Sequence, residues 1–209
     1  MKKIDAISIP FYEFHSGREL AEEVLADVKT KNFIVDAPEQ GYISDNYYHE
    51  KLFEFFENSV KSVKSLYYKD TVDFPIVDCW VNEYKTMTRL RKHYHPNSVI
   101  CGVYYLTEHD KNYSTIFNAN NPWTYSTTAN SLDVVKNDIP LSGELIPEVG
   151  KLILFPASLI HYMTTISPKD KIYRYTIAFN TFPNGVVSTA PTMKLQIKSI
   201  SLKEKLGIV

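Results

Sequence analysis

Hydrophobic positions recur at helical intervals in the first third of the chain and at strand intervals after it. Leu20, Val24, Leu25 and Val28 lie on one helical stripe, and Ser16-Gly17-Arg18-Glu19 just ahead of them has the spacing of a capping box. A second stripe, Leu52, Phe55, Phe56, Val60, Val63 and Leu66, predicts a helix from about His49 to Tyr68. After Pro75 the apolar runs shorten and fill with β-branched and aromatic residues. Ile76 to Tyr84, Ser98 to Leu106, Lys151 to Phe155 and Tyr173 to Phe182 read as strands. Between Thr107 and Pro147 the chain is dense in Asn, Ser, Thr, Tyr and Pro with little periodicity, which predicts a lid or binding loop. Met193 to Leu202 alternates polar and apolar residues, as an edge strand guarded by lysines would. These elements predict helices packed on a β-sandwich in one domain, residues 1–209. Its helical part runs to about residue 75, its β core covers 76–183 and its tail 184–209.

Composition narrows the class of protein. At 209 residues the chain can bury a sizeable core, and 44% hydrophobic with 22% charged residues is ordinary for a globular domain. A formal net charge of −1 gives no bulk attraction to nucleic acid or to an anionic membrane. Fifteen tyrosines and eleven phenylalanines suit a β-rich core. Cys79 and Cys101 both sit in apolar strand-like runs and read as reduced packing residues. No apolar run reaches membrane-spanning length, and Met1-Lys2-Lys3 precedes no signal-peptide core, so an intracellular, cytoplasmic protein is expected.

Three histidines carry the candidate chemistry. His93 and His95 are two residues apart, so on a strand their imidazoles share a face. His161 follows the buried-strand run Gly150-Lys151-Leu152-Ile153-Leu154-Phe155-Pro156 and can close the site from another strand. Such a split set suits a divalent transition metal with open coordination positions. Arg174 lies in the otherwise uncharged strand Tyr173-Arg174-Tyr175-Thr176-Ile177-Ala178-Phe179, which argues for a buried partner. Tyr104 and Tyr105 point to opposite faces, so at most one lines the site. His15, His49 and His109 read as ordinary core or surface residues.

The order Asn82-x-Tyr84, His93-x-His95-Pro96, Gly102-Val103-Tyr104-Tyr105-Leu106, Leu154-Phe155-Pro156, His161, Arg174-x-Thr176 and Phe179-Asn180 resembles the Fe(II)/2-oxoglutarate-dependent dioxygenases. The likeness is to a bacterial and phage group of oxygenases and covers roughly Trp80 to Phe182. It implies a double-stranded β-helix, a mainly β jelly roll of the α+β class with N-terminal helices packed on one sheet. It also implies Fe(II) held by His93, His95 and His161, with 2-oxoglutarate as co-substrate and O₂ and an organic substrate as partners. Where the family's usual second ligand is a carboxylate, this chain has His95. That removes one negative charge from the metal, and direct ligation or ligation through water are both open.

The resemblance further assigns the far carboxylate of 2-oxoglutarate to Arg174, whose planar fork suits a carboxylate. Thr176 adds a hydroxyl, and Asn82 with Tyr84 match the Asn-x-Tyr pair that binds 2-oxoglutarate in the alkylated-base demethylases. Asn180 falls six residues after Arg174, where those demethylases hold a second arginine, and is assigned to the metal-side carboxylate. The implied reaction is hydroxylation of an unactivated C–H bond with release of succinate and CO₂. A protein side chain is the first expectation for the substrate, a small metabolite the next and nucleic acid the third. No membrane partner is expected, a homodimer is compatible with the sequence, and the host would be a bacterial or phage-infected cell. A different class stays open: the same fold hosts cupin-like binding proteins and isomerases with a three-histidine metal. Arg174 with Thr176, and Asn82 with Tyr84, separate the two, because a plain metal barrel needs no buried cation.

Overall fold

The computed structural model describes residues 10–31, 33, 42–44, 46–84, 90–108, 115–118, 142–163, 174–189 and 193–208. Its main sheet is antiparallel and six-stranded. The order is β1 (Tyr12–His15), β8 (Lys151–Pro156), β5 (Ile100–Tyr105), β10 (Arg174–Thr181), β4 (Ile76–Tyr84) and β2 (Tyr42–Ser44). Opposite it stands a three-stranded sheet of β7 (Ser142–Leu145), β6 (Thr115–Asn118) and β9 (Ile160–Met163). Cys101, Tyr105, Ile153 and Phe155 from the main sheet meet Phe117 from the small one in a closed apolar cluster. Two antiparallel sheets joined across an inner core make the expected jelly roll. A separate three-stranded sheet of β12 (Met193–Ile197), β11 (Asn184–Thr189) and β3 (Val72–Asp73) completes the strands, with β12 at its edge as its alternation predicts.

The outer face of the main sheet is covered by α1 (Arg18–Thr30) and α2 (Glu50–Tyr67). Alternation along each strand explains why both faces are apolar: Cys79, Val81, Tyr104, Ile177 and Phe179 point to the helices, and the residues between them point inward. α1 buries Ala21, Val24 and Val28, and α2 buries Leu52, Phe53, Phe56, Val60 and Val63. Neither helix has a side-chain cap at its N-terminus. A missing cap costs about 1 kcal/mol, whereas each fully buried Leu or Phe contributes about 1.5–3 kcal/mol, so packing decides these helices.

Several sequence expectations change here. The Ser16–Glu19 capping box does not form. The N-cap of α1 is Gly17, and Ser16 Oγ instead lies 2.6 Å from the Tyr104 hydroxyl and donates to the Gly150 carbonyl. A capping box does form at Ser201 with Glu204, at the short C-terminal helix Leu202–Lys205. On α2 the stripe holds at Leu52, Phe56, Val60 and Val63, with Phe53 buried beside it, but Leu66 is 61% exposed. The stretch from Thr107 to Pro147 is not loop throughout, because β6 and β7 lie within it. Asn120, Asn121, Trp123, Tyr125 and Asn130, on which the lid expectation rests, lie outside the described residues, as does His109. Both cysteines are free and buried, as expected. No helix among the described residues is long and apolar enough to cross a membrane.

One packing contact ties the helices to the barrel strands. The Phe179 ring lies over Gly102, its cross-strand partner, and a Cβ built there would stand 2.3 Å from Phe179 Cε1. Phe179 cannot retreat, being fully buried with its ring 4.6 Å from that of Phe56. Gly102→Ala should therefore lower stability by about 1–3 kcal/mol, the usual range for overpacking. Thermal unfolding measures it, and adding Phe179→Leu should recover part of the loss; a Gly102→Ala protein as stable as the parent would contradict this packing.

Candidate metal centre

β9 carries His161 on its inward face, and the Leu90–His95 segment runs beside it. Met163 donates its N–H to the Leu90 carbonyl. His93 and His161 form a reciprocal backbone pair, N–H to carbonyl at 3.1 and 2.9 Å. His95 donates its backbone N–H to the Ala157 carbonyl. The sequence predicts His93 and His95 on a regular strand; the structure gives a single bridge at His93 and irregular backbone at His95. Pro96, which cannot donate to a ladder, follows at once. The two rings still share a side, with centroids 5.2 Å apart, and His161 lies 4.2 and 5.1 Å from them.

The hydrogen bonds of the three rings fix their tautomers. His93 Nδ1 lies 2.8 Å from the Arg91 carbonyl, His161 Nδ1 lies 3.0 Å from the Leu159 carbonyl, and His95 Nδ1 lies 2.5 Å from Asn180 Oδ1. A carbonyl oxygen only accepts, so each contact places the proton on Nδ1 and leaves a lone pair on Nε2. One ring nitrogen from each histidine lies within 4.8 Å of those of the other two. Burial lowers the pKa of all three imidazoles, and with His93 and His95 nearby that of His161 falls to about 3. At neutral pH the site therefore holds three uncharged donors, the form a metal ion requires. The chemistry of the set fits a first-row divalent ion.

Deeper in the same cavity sits Arg174, which is 2% exposed. Its guanidinium donates to Thr115 Oγ1 at 3.2 Å and contacts Met163 Sδ at 2.9 Å. The Tyr84 and Tyr105 rings flank it, with centroids 5.4 and 5.2 Å from Cζ. Burial lowers the Arg174 pKa, opposed by the two tyrosines, yet a guanidinium stays charged. The register of β10 on β4 pairs Arg174 with Tyr84 and Thr176 with Asn82, and Asn82 Nδ2 donates to Thr176 Oγ1 at 3.2 Å. Burial raises the pKa of Tyr84, against the effect of Arg174 and a hydrogen bond to Thr176. Among the described residues the cavity lining contains no carboxylate. A buried cation facing three neutral imidazoles gives a pocket for an anionic chelator.

The structure thus brings His93, His95, His161, Arg174, Thr176, Asn82 and Tyr84 into one cavity. Asn180 touches His95. Sequence reasoning missed Trp80, Cys101, Thr115 and Met163. Trp80 and Cys101 alternate inward with residues already singled out, so strand period could have found them. Thr115 lies in the stretch without periodicity, where no such signal exists. Tyr104 and Tyr105 divide as expected: Tyr104 packs on Phe56, while Tyr105 faces inward, within 2.8 Å of Thr115 Oγ1.

Residues 78–180 match the family model described as "Putative 2OG-Fe(II) oxygenase". No curated protein sequence matches the chain. Among solved structures, HygX from Streptomyces hygroscopicus with nickel and 2-oxoglutarate bound is similar at a TM-score of 0.59 and 8% identity, covering 83% of each chain. A Pseudomonas putida prolyl-4-hydroxylase gives 0.58 and 10% identity over 84% of this chain and 94% of that one. The viral collagen prolyl hydroxylase of Paramecium Bursaria Chlorella virus-1 gives 0.53 and 11%, over 87% and 97%. At such identities these likenesses show the fold, the double-stranded β-helix. The matched region begins in β4 and ends in β10, and the site's histidines, arginine and threonine all lie inside it: the part of the chain that forms the site is the part that matches the 2OG-Fe(II) oxygenase model.

Proposed function

We propose that His93, His95 and His161 hold Fe(II) through Nε2, and that Arg174, Thr176, Asn82 and Tyr84 hold 2-oxoglutarate, in a dioxygenase that hydroxylates an organic substrate. The observation that carries this reading is the pairing within one cavity of three Nδ1-protonated imidazoles and a buried guanidinium. When bound, iron and 2-oxoglutarate supply the oxidation of a C–H bond by O₂, with succinate and CO₂ as the other products. The chain's own residues position and enclose. Arg174 would supply the positive charge for the far carboxylate, while Thr176 and Tyr84 would offer hydroxyls beside it. Phe117, Phe155 and Met163 line the neighbourhood of His161 and keep water from its ring.

Three neutral ligands leave the ion its full double positive charge, which a dianionic co-substrate offsets. A cupin-like binding protein would have no use for Arg174 at this depth. For the substrate, a protein side chain is the first choice, supported by the two prolyl hydroxylases among the similar structures. A small metabolite comes next, supported by HygX, solved with hygromycin B bound. The near-neutral charge puts nucleic acid third.

Anaerobic titration of the purified protein with Fe(II) and 2-oxoglutarate tests the reading. A weak visible charge-transfer band should grow to one equivalent of each. Absence of the band, with iron bound, would remove 2-oxoglutarate from the proposal.

A further inference from the structure

His93 and His161 take their Nδ1 partners from carbonyls two residues earlier, Arg91 and Leu159, so their own local backbone sets their rings. His95 does not. Its Nδ1 partner is the side chain of Asn180, 85 residues away on β10. Asn180 is held in mid-sheet, paired with Cys101 of β5 on one side and Asp78 of β4 on the other. The Cys101 thiol donates to the same Asn180 Oδ1 at 3.1 Å, and its sulfur lies 3.3 Å from His95 Nδ1. Ser98 Oγ, 3.4 Å from that sulfur, donates to the Thr181 carbonyl. The Trp80 ring lies against the His95 ring, centroids 5.7 Å apart.

Two donors converging on one oxygen decide which way the Asn180 amide faces. With Oδ1 toward His95 and Cys101, the imidazole must hold its proton on Nδ1. If the amide were reversed, the thiol would lose its acceptor, Nδ1 would have to accept from the NH₂, and Nε2 would carry the proton. Such an imidazole presents no lone pair to the centre. We propose that Asn180 is the positioning residue of the metal site, fixing the His95 tautomer through Oδ1, with the Cys101 thiol locking the amide orientation. This rests on the three-histidine metal reading and moves Asn180 from a contact with the co-substrate to a contact with a ligand. Asn180 serves the ligand that stands where the family's carboxylate usually stands, and as a neutral acceptor it adds no charge behind it.

The test uses the full-length protein and Co(II) as probe, read by its visible absorption. Asn180→Leu, similar in size but without an acceptor, should weaken Co(II) binding by about 10–100-fold, the range for lost outer partners of metal-bound histidines. Asn180→Asp keeps an acceptor at that point, so it should retain the parent's affinity and shift the Co(II) absorption, because a carboxylate makes the imidazole a stronger donor. Unfolding temperatures of both variants report whether the sheet is intact. Equal Co(II) affinity in the parent and Asn180→Leu would overturn the proposal. So would an Asn180→Leu protein that binds Co(II) normally but has lost 2-oxoglutarate affinity, which would return Asn180 to the co-substrate. Failure of the underlying reading looks different: the unsubstituted protein would itself take up no stoichiometric Co(II).

Discussion

Alanine at His93 or His161 should leave a folded protein that no longer binds iron. The two residues are joined through their backbones, N–H to carbonyl in both directions, and that pair does not depend on either side chain. The strand partners of β9 therefore survive the substitution, while one of three imidazole donors is lost. Losing a direct ligand must cost more than the roughly 10–100-fold that outer partners contribute. His161→Ala also removes a buried ring packed on Phe155 and Phe117, so a modest drop in unfolding temperature is expected with it. Metal content of each purified variant, read beside its circular dichroism, decides the matter. Full iron occupancy in either variant would sink the site. His95→Ala belongs in the same set: retention of iron by that variant alone would mean a centre of two histidines.

Arg174→Ala should keep the metal and lose the co-substrate. Leaving a buried carboxylate without its cation costs about 3–5 kcal/mol, or about two to four orders of magnitude in affinity for 2-oxoglutarate. The guanidinium lies beyond the histidines, among Thr115, Met163, Tyr84 and Tyr105, so its removal opens space without touching a ligand. Arg174→Lys should fall between the two, since an ammonium supplies the charge without the two-pronged geometry. Calorimetry on metal-loaded protein gives the answer directly. Unchanged 2-oxoglutarate binding in the alanine variant would refute the assignment and favour a non-redox metal barrel.

Side-chain period two accounts for most of what the sequence revealed. Asn82 and Tyr84 face Thr176 and Arg174 across β4 and β10 because alternate residues share a face, and that rule needs no knowledge of the turns. The helices were legible for a similar reason, through Val24 and Val28, or Phe56, Val60 and Val63. Short strands escaped. β9 has four residues and β6 four, too few for alternation to stand out, and both contribute directly to the site. The capping box at Ser16 misled because the spacing of Ser and Glu is a local signal, and a tyrosine hydroxyl 88 residues away competes for the same oxygen. The Asn180 contact was unreadable for the same reason: it depends on which strands become neighbours, a property of topology.

The boundaries of the family likeness gain a meaning from the layer outside the barrel. The match starts at residue 78, yet both outermost strands of the main sheet, Tyr12–His15 and Tyr42–Ser44, and both covering helices come before it. Those helices meet the sheet chiefly through apolar side chains, such as Val24 and Phe56, and many sets of similar volume at the same intervals would serve. The strands from β4 to β10 must deliver particular nitrogens and oxygens to one point. The first requirement admits many sequences and the second few. The likeness thus falls on the half of the chain that carries the chemistry, and the layer that shields it lies outside the match.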